Sequence, residues 1–153
     1  MSRQKVALDC DVPRRLVEAM NALYGDRGFE FIHVTQMGLA TADDDVWAKA
    51  FKQFGGKITL SADKAITKKP HKLLAFQESA LKSYFMEPPW SLQKLNYKAG
   101  HLIYWWAAIE RHLPICKEGE CWQIPLNIKP AEFKPLKIPD EVLELAKAEK
   151  KTG

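Results

Sequence analysis

Lys5-Val6-Ala7-Leu8-Asp9-Cys10-Asp11-Val12-Pro13 decides the architecture. A short apolar run stopped by polar residues suits a buried strand, and this one stops on an aspartate. Proline is tolerated in the first turn of a helix, where its missing N–H would be unpaired anyway, so a helix begins near Pro13 with Asp11 or Val12 as its cap. Leu16, Ala19, Met20, Leu23 and Tyr24 continue at helical spacing, and Gly25 supplies the stop. The unit is a strand, a carboxylate-bearing joint and a helix.

The same unit recurs. Phe29 to Val34 is rich in β-branched and aromatic residues and suits a second strand. After a loop over 38–42, Asp43-Asp44-Asp45 open a helix bearing Val46, Trp47, Ala50, Phe51 and Phe54, which Gly55-Gly56 ends. Acids in a first turn are favoured by the helix dipole, so this cluster has a structural explanation as well as a chemical one. Lys57 to Ser61 is a third strand, and it runs into Asp63. Strand–helix alternation of this kind implies a parallel sheet with helical crossovers.

Further along, the pattern predicts a short helix over 73–80, a strand over 82–86 and a long helix over 91–112. The long helix carries Leu92, Leu95, Ala99, Leu102, Ile103, Trp106, Ile109 and Leu113 as one stripe. Cys121 to Leu126 reads as an edge strand, where Pro125 is tolerated. The expected class is α/β, three layers deep (α/β/α), around a mostly parallel central sheet of four to five strands. One domain spans 1–128; three prolines between Lys129 and Pro139 then make a linker, and 129–153 ends in a charged helix.

The chain has 153 residues, 46% hydrophobic and 27% charged, which suits a folded domain and excludes a disordered or collagen-like chain. No apolar run approaches the roughly 18 residues of a membrane span, and the N-terminus is no signal-peptide core. Three cysteines, an odd number, fit reduced thiols better than a disulfide framework. A cytoplasmic location is expected, with no membrane partner. Net charge is +4, all of it in residues 67–153, while seven of the eight aspartates lie in the first 63 residues.

In an open parallel α/β sheet, ligands bind beyond the carboxyl ends of the strands. Asp9 and Asp11, then Asp43 to Asp45, then Asp63 follow three successive strands to that edge. Carboxylates brought so close repel unless a cation neutralises them, and hard divalent ions take oxygen ligands. Such an ion polarises a phosphodiester and activates water as a nucleophile. Asp9 is the hardest of these acids to explain structurally. Asp63 follows Ser61-Ala62, which also suits an ordinary helix cap, and Asp43 stands between cap and ligand.

Leu8-Asp9-Cys10-Asp11-Val12-Pro13, Ala42-Asp43-Asp44-Asp45-Val46-Trp47-Ala48 and Ile58-Thr59-Leu60-Ser61-Ala62-Asp63-Lys64 resemble, in order and spacing, the PIN-like nuclease superfamily. The nearest branch is that of compact VapC-like toxins, whose third strand ends in Thr/Ser-x-Asp. The resemblance covers residues 4–66 by motif and implies a PIN-like fold for 1–128. It also implies a metal-dependent ribonuclease, the toxin component of a type II toxin–antitoxin pair. Asp9, Asp43 and Asp63 then match the catalytic acids that hold Mg2+ or Mn2+, with Asp11 and Asp45 as further metal ligands. Two positions depart from the pattern: Ala65 stands where many relatives have a second aspartate, and Asp11 where the branch has asparagine. Either Asp11 restores the lost carboxylate, or the chain is a catalytically inactive PIN-like module that binds RNA or protein.

Lys64, Lys68, Lys69 and Lys72 follow the third-strand acid and suit an RNA backbone, whose binding is dominated by phosphate contacts. The partners implied are RNA and a cognate antitoxin protein, with a homodimer through the long aromatic-rich helix. Tyr97, Tyr104 and Trp105 on that helix suit base stacking or, more simply, core. His101, His112, Cys116 and Cys121 fit no standard zinc spacing, and His33 reads as a core histidine.

Overall fold

The computed structural model describes residues 3–39, 41–63, 70–127, 135–136 and 138–152. Its elements are β1 (Gln4–Leu8), α1 (Arg14–Tyr24), β2 (Phe29–His33), α2 (Asp44–Gln53), β3 (Gly56–Ser61), α3 (Pro70–Glu78), β4 (Lys82–Met86), α4 (Leu95–His112), β5 (Cys121–Ile124) and α5 (Asp140–Thr152). The five strands form one sheet in the order β2-β1-β3-β4-β5, and every neighbouring pair is parallel. Parallel neighbours need crossovers, and four helices supply them.

The helices divide between the two faces of the sheet. Val6, Leu8, Ile58 and Leu60 pack with Leu16, Val17 and Met20 of α1 and with Leu102, Trp106 and Ile109 of α4. Ala7 and Phe85, pointing the other way, pack with Trp47, Ala48 and Phe51 of α2 and with Phe76 of α3. The architecture is the expected three-layer α/β/α. The central strands read as continuous apolar runs because both of their faces are covered. Trp106 anchors the first layer edge-on, its ring centroid 4.9 Å from that of Phe31 and 5.1 Å from that of Phe29. Rings meeting at such angles add about 0.5–1.5 kcal/mol beyond their buried area.

Some helices sit differently from their sequence pattern. The long helix is not continuous from Ser91: Pro88–Leu92 form a 3-10 turn, Gln93 and Lys94 are extended, and α4 starts at Leu95. The break turns Leu92 and Leu95 towards solvent, and the buried stripe begins at Leu102. In α1 and α2 the core faces are Leu16-Val17-Met20 and Trp47-Ala48-Phe51, which leaves Leu23, Val46 and Phe54 exposed. Neither Asp11 nor any other side chain caps α1, where Pro13 occupies the cap position.

Trp90, fully buried in the 3-10 turn, donates its indole N–H to His101 Nδ1 at 3.0 Å. His101 Nε2 in turn donates to the Pro125 carbonyl at 2.7 Å. With both ring nitrogens engaged and burial pushing its pKa down, His101 is a neutral latch between α4 and the end of β5 and no zinc ligand. β5 forms the expected edge strand. α5 exposes Val142, Leu143 and Leu145, and of the proline-rich stretch before it only 135–136 and 138–139 are described. Among the described residues no helix is long and apolar enough to cross a membrane.

Gly56 opens β3 against the fully buried Phe51 ring, and a Cβ there would collide with it. Gly56→Ala is expected to cost about 1–3 kcal/mol in urea denaturation, the scale of core overpacking. Combining it with Phe51→Leu should cost less than the two changes summed, because the leucine vacates the contested space. Strict additivity would remove the steric explanation.

Candidate functional site

β1 and β3 lie side by side at the centre of the sheet, α1 on one face and α2 on the other. That reversal is the switch point at which parallel α/β sheets open a crevice. Leu8 is in register with Leu60, so Asp9, the next residue, falls beside Ser61. Alternation along the strand puts Ala7 in the α2/α3 layer, and Asp9, two residues on, emerges on that same side.

Asp9 is 7% exposed and thoroughly hydrogen-bonded. Its backbone N–H donates to the Leu60 carbonyl at 3.2 Å, and its own carbonyl accepts from the Val12 N–H at 3.1 Å. Its carboxyl group accepts the Ser61 hydroxyl and the Ala62 N–H at Oδ2, the latter at 3.2 Å, and the Asp11 N–H at Oδ1, at 3.1 Å. Burial pushes its pKa up to about 7; the Ser61 hydrogen bond opposes that rise and the Asp11 charge adds to it. His33, buried as expected, donates from Nε2 to the Val12 carbonyl at 2.8 Å and accepts the Thr35 N–H at Nδ1. It thereby braces the turn that carries Asp9 and Asp11.

A cleft of about 200 Å³ opens beside Asp9, lined by Asp11, Asp43, Asp63 and Lys72 and walled by Val34, Leu39, Ala42 and Trp47. Asp43 occupies the cap position of α2, yet its side chain makes no cap bond; its backbone carbonyl accepts from Val46 and Trp47 instead. The helix-cap explanation therefore does not account for its carboxylate. Asp63 lies beyond β3, its N–H on the Ser61 hydroxyl at 3.3 Å and its Oδ2 3.6 Å from Lys72 Nζ. Four of the five expected acids thus line one cleft. Asp45 instead lines a neighbouring groove of about 490 Å³ with Lys49, Leu74, Ala75 and Glu78, and Asp43 and Lys72 border both spaces.

Of the lysines expected to meet RNA, Lys64, Lys68 and Lys69 lie outside the described residues. Lys72, on the first turn of α3, faces the acids. Sequence reasoning missed Ser61 as the partner of Asp9. The signal for it was a hydroxyl two residues before a strand-end aspartate, in register with another such aspartate.

A family model described as PIN like domain matches residues 5–87, from β1 to the end of β4, including every acid of the cleft. The chain belongs to this PIN-like family. Neither the curated proteins nor the solved structures gave a match. PIN-like proteins form a nuclease superfamily, and its nucleases typically use divalent metals.

The donor set suits such an ion. The PIN-like cleft offers carboxylate oxygens, the ligands of hard cations, and Asp9 is a carboxyl group whose ionised form burial disfavours. Among the described residues no three His, Cys, Asp or Glu side chains form a ready-made cage. Mg2+ fits that circumstance, since it keeps several waters and takes only one or two carboxylates.

The pKa of Asp9 makes stability depend on pH. Between its ordinary value of 3.8 and about 7 the folded protein keeps a proton that the unfolded chain has released. Stability is therefore lost as pH rises through that window, by up to about 4 kcal/mol at 1.36 kcal/mol per unit. Urea denaturation in EDTA should show Asp9→Asn gaining on wild type from pH 4 to pH 8. A difference that does not change with pH would contradict the burial of an ionisable group there.

Proposed function

We propose that the chain is a metal-dependent ribonuclease. Asp9, Asp43 and Asp63 serve as its catalytic acids and, with Asp11, hold Mg2+ or Mn2+. The observation that carries this reading is the cleft at the β1/β3 switch point, where carboxylates from three segments of chain surround a buried Asp9. A divalent ion held there supplies Lewis-acid polarisation of a phosphodiester and makes water a nucleophile near neutral pH. The protein's own groups do the positioning. Ser61 and the Ala62 and Asp11 amides fix the Asp9 carboxylate in one orientation, and the α2 N-terminus brings Asp43 to the same cleft. Val34, Leu39 and Trp47 form an apolar wall on one side of the cleft, a surface of lower polarisability than water that strengthens charge interactions beside it.

RNA is the proposed substrate. The role of toxin, with a cognate antitoxin as partner, rests on the resemblance of the three aspartate blocks to VapC-like proteins. Asp11 in the cleft supports its part in restoring the carboxylate that Ala65 lacks, whereas Asp45, in the neighbouring groove, has weaker support as a ligand. Ala65, which stands where many relatives carry a second aspartate, favours a second reading, a catalytically inactive PIN-like module that binds RNA or protein.

Cleavage of single-stranded RNA with Mn2+ or Mg2+ decides between the two. The nuclease reading expects Asp9→Asn and Asp63→Asn each to lose about 100-fold or more in rate, the scale on which removing a group that stabilises transition-state charge acts. Rates unchanged in both variants would sink the catalytic assignment. RNA retained but uncut by wild type and both variants would select the binding module. As a toxin, the wild-type chain should arrest bacterial growth on induction and Asp9→Asn should not, read from colony counts.

A further inference from the structure

We propose that Lys72 is, among the described residues, the resident cation of the cleft: its ammonium occupies the seat beside Asp63 and moves to Asp45 when a divalent ion binds. This inference deepens the metal-centre reading and rests on it. Lys72 Nζ stands 3.6 Å from Asp63 Oδ2, and both side chains are about three-quarters buried, at 25% and 27% exposed. An aspartate engaged by an ammonium is not fully available to a metal, because both cations want the same oxygen lone pairs. Binding of the ion therefore carries the cost of breaking this pair, and Lys72 lowers the metal affinity of the centre.

The geometry also provides somewhere for the ammonium to go. Lys72 borders both the acidic cleft and the neighbouring groove, and that groove holds Asp45 and Glu78. A lysine stem has four flexible carbons and a compact charge, so it can change partners without moving the helix that carries it. Two acidic seats, one on each side of a single lysine, make an exchange device. Asp45 then has a role without being a metal ligand: it receives the lysine that Asp63 releases. Lys49 lines the same groove but not the cleft, which makes it the control for a general loss of positive charge.

The test is Mn2+ affinity, read from the free-ion EPR signal on titrating the full chain at one pH. A largely buried pair of this kind contributes on the order of 1 kcal/mol, so Lys72→Met and Lys72→Gln should bind Mn2+ about three- to tenfold more tightly than wild type. Lys72→Arg and Lys49→Met should stay close to wild type. Asp45→Asn should weaken Mn2+ binding in the wild-type background and have no effect beside Lys72→Met, whereas a direct ligand would weaken it in both. Affinity unchanged or reduced in Lys72→Met and Lys72→Gln, with wild type binding, overturns the exchange and leaves the metal centre standing. No Mn2+ binding by wild type or by either variant overturns the metal centre and the exchange together.

Discussion

The contact on which the site depends is the junction of Asp9 with β3. Its backbone N–H bonds to Leu60, and its carboxyl group accepts the Ser61 hydroxyl and the Ala62 amide. A carboxyl group at 7% exposure survives only if its oxygens are satisfied, and three donors from two strand ends satisfy them. The same bonds fix the spacing of β1 and β3 at the mouth of the crevice. They also explain why Ser61, rather than an apolar residue, ends the central strand: on that side of the sheet it must meet a carboxylate.

From this junction the electrostatics follow. Asp11 is held near Asp9 by the hydrogen bond its backbone N–H donates to Asp9 Oδ1, so a second negative charge stands where burial already disfavours the first. Asp43 and Asp63 line the same space. Such a concentration of acid opposes folding unless positive charge enters, and Lys72 supplies some of it from α3. The layered core tolerates the conflict because most of it lies away from the cleft, around Trp106 on one face and Phe51 and Phe76 on the other, with Val34 and Trp47 shared between core and cleft wall.

Much of this arrangement is legible in the chain. A strand that stops on aspartate, twice, and a helix that opens on aspartate are patterns of period and punctuation, and the sheet places Asp9, Asp43 and Asp63 together as those patterns imply. What escapes sequence reading depends on rotation and distance. The face that α1 and α2 turn inward differs by about one position from the apolar stripe, so Leu23 and Phe54 point outward. A run of eight apolar residues at helical spacing did not reveal that Gln93 and Lys94 would be extended. Lys72 reads in the sequence as one more of the lysines suited to an RNA backbone, because a charge run carries no sign of which member folds back onto an acid. Asp45 stands in the same acidic run as Asp43, yet it lines only the neighbouring groove whereas Asp43 borders both spaces, a difference that the run of three aspartates does not announce.

An all-parallel sheet also governs when the cleft comes into being. Asp9 and Ser61 are 52 residues apart, and between them the chain must complete two crossovers. Loop-closure entropy is lost before such distant contacts reward it, so parallel pairings of this separation form late and together. A chain still lacking β3 leaves the Asp9 carboxyl group without Ser61 or Ala62 and without any reason to be dehydrated. It titrates there as an ordinary surface acid. The unusual chemistry of Asp9 is thus a property of the paired strands, one that the chain does not possess until β3 lies beside β1.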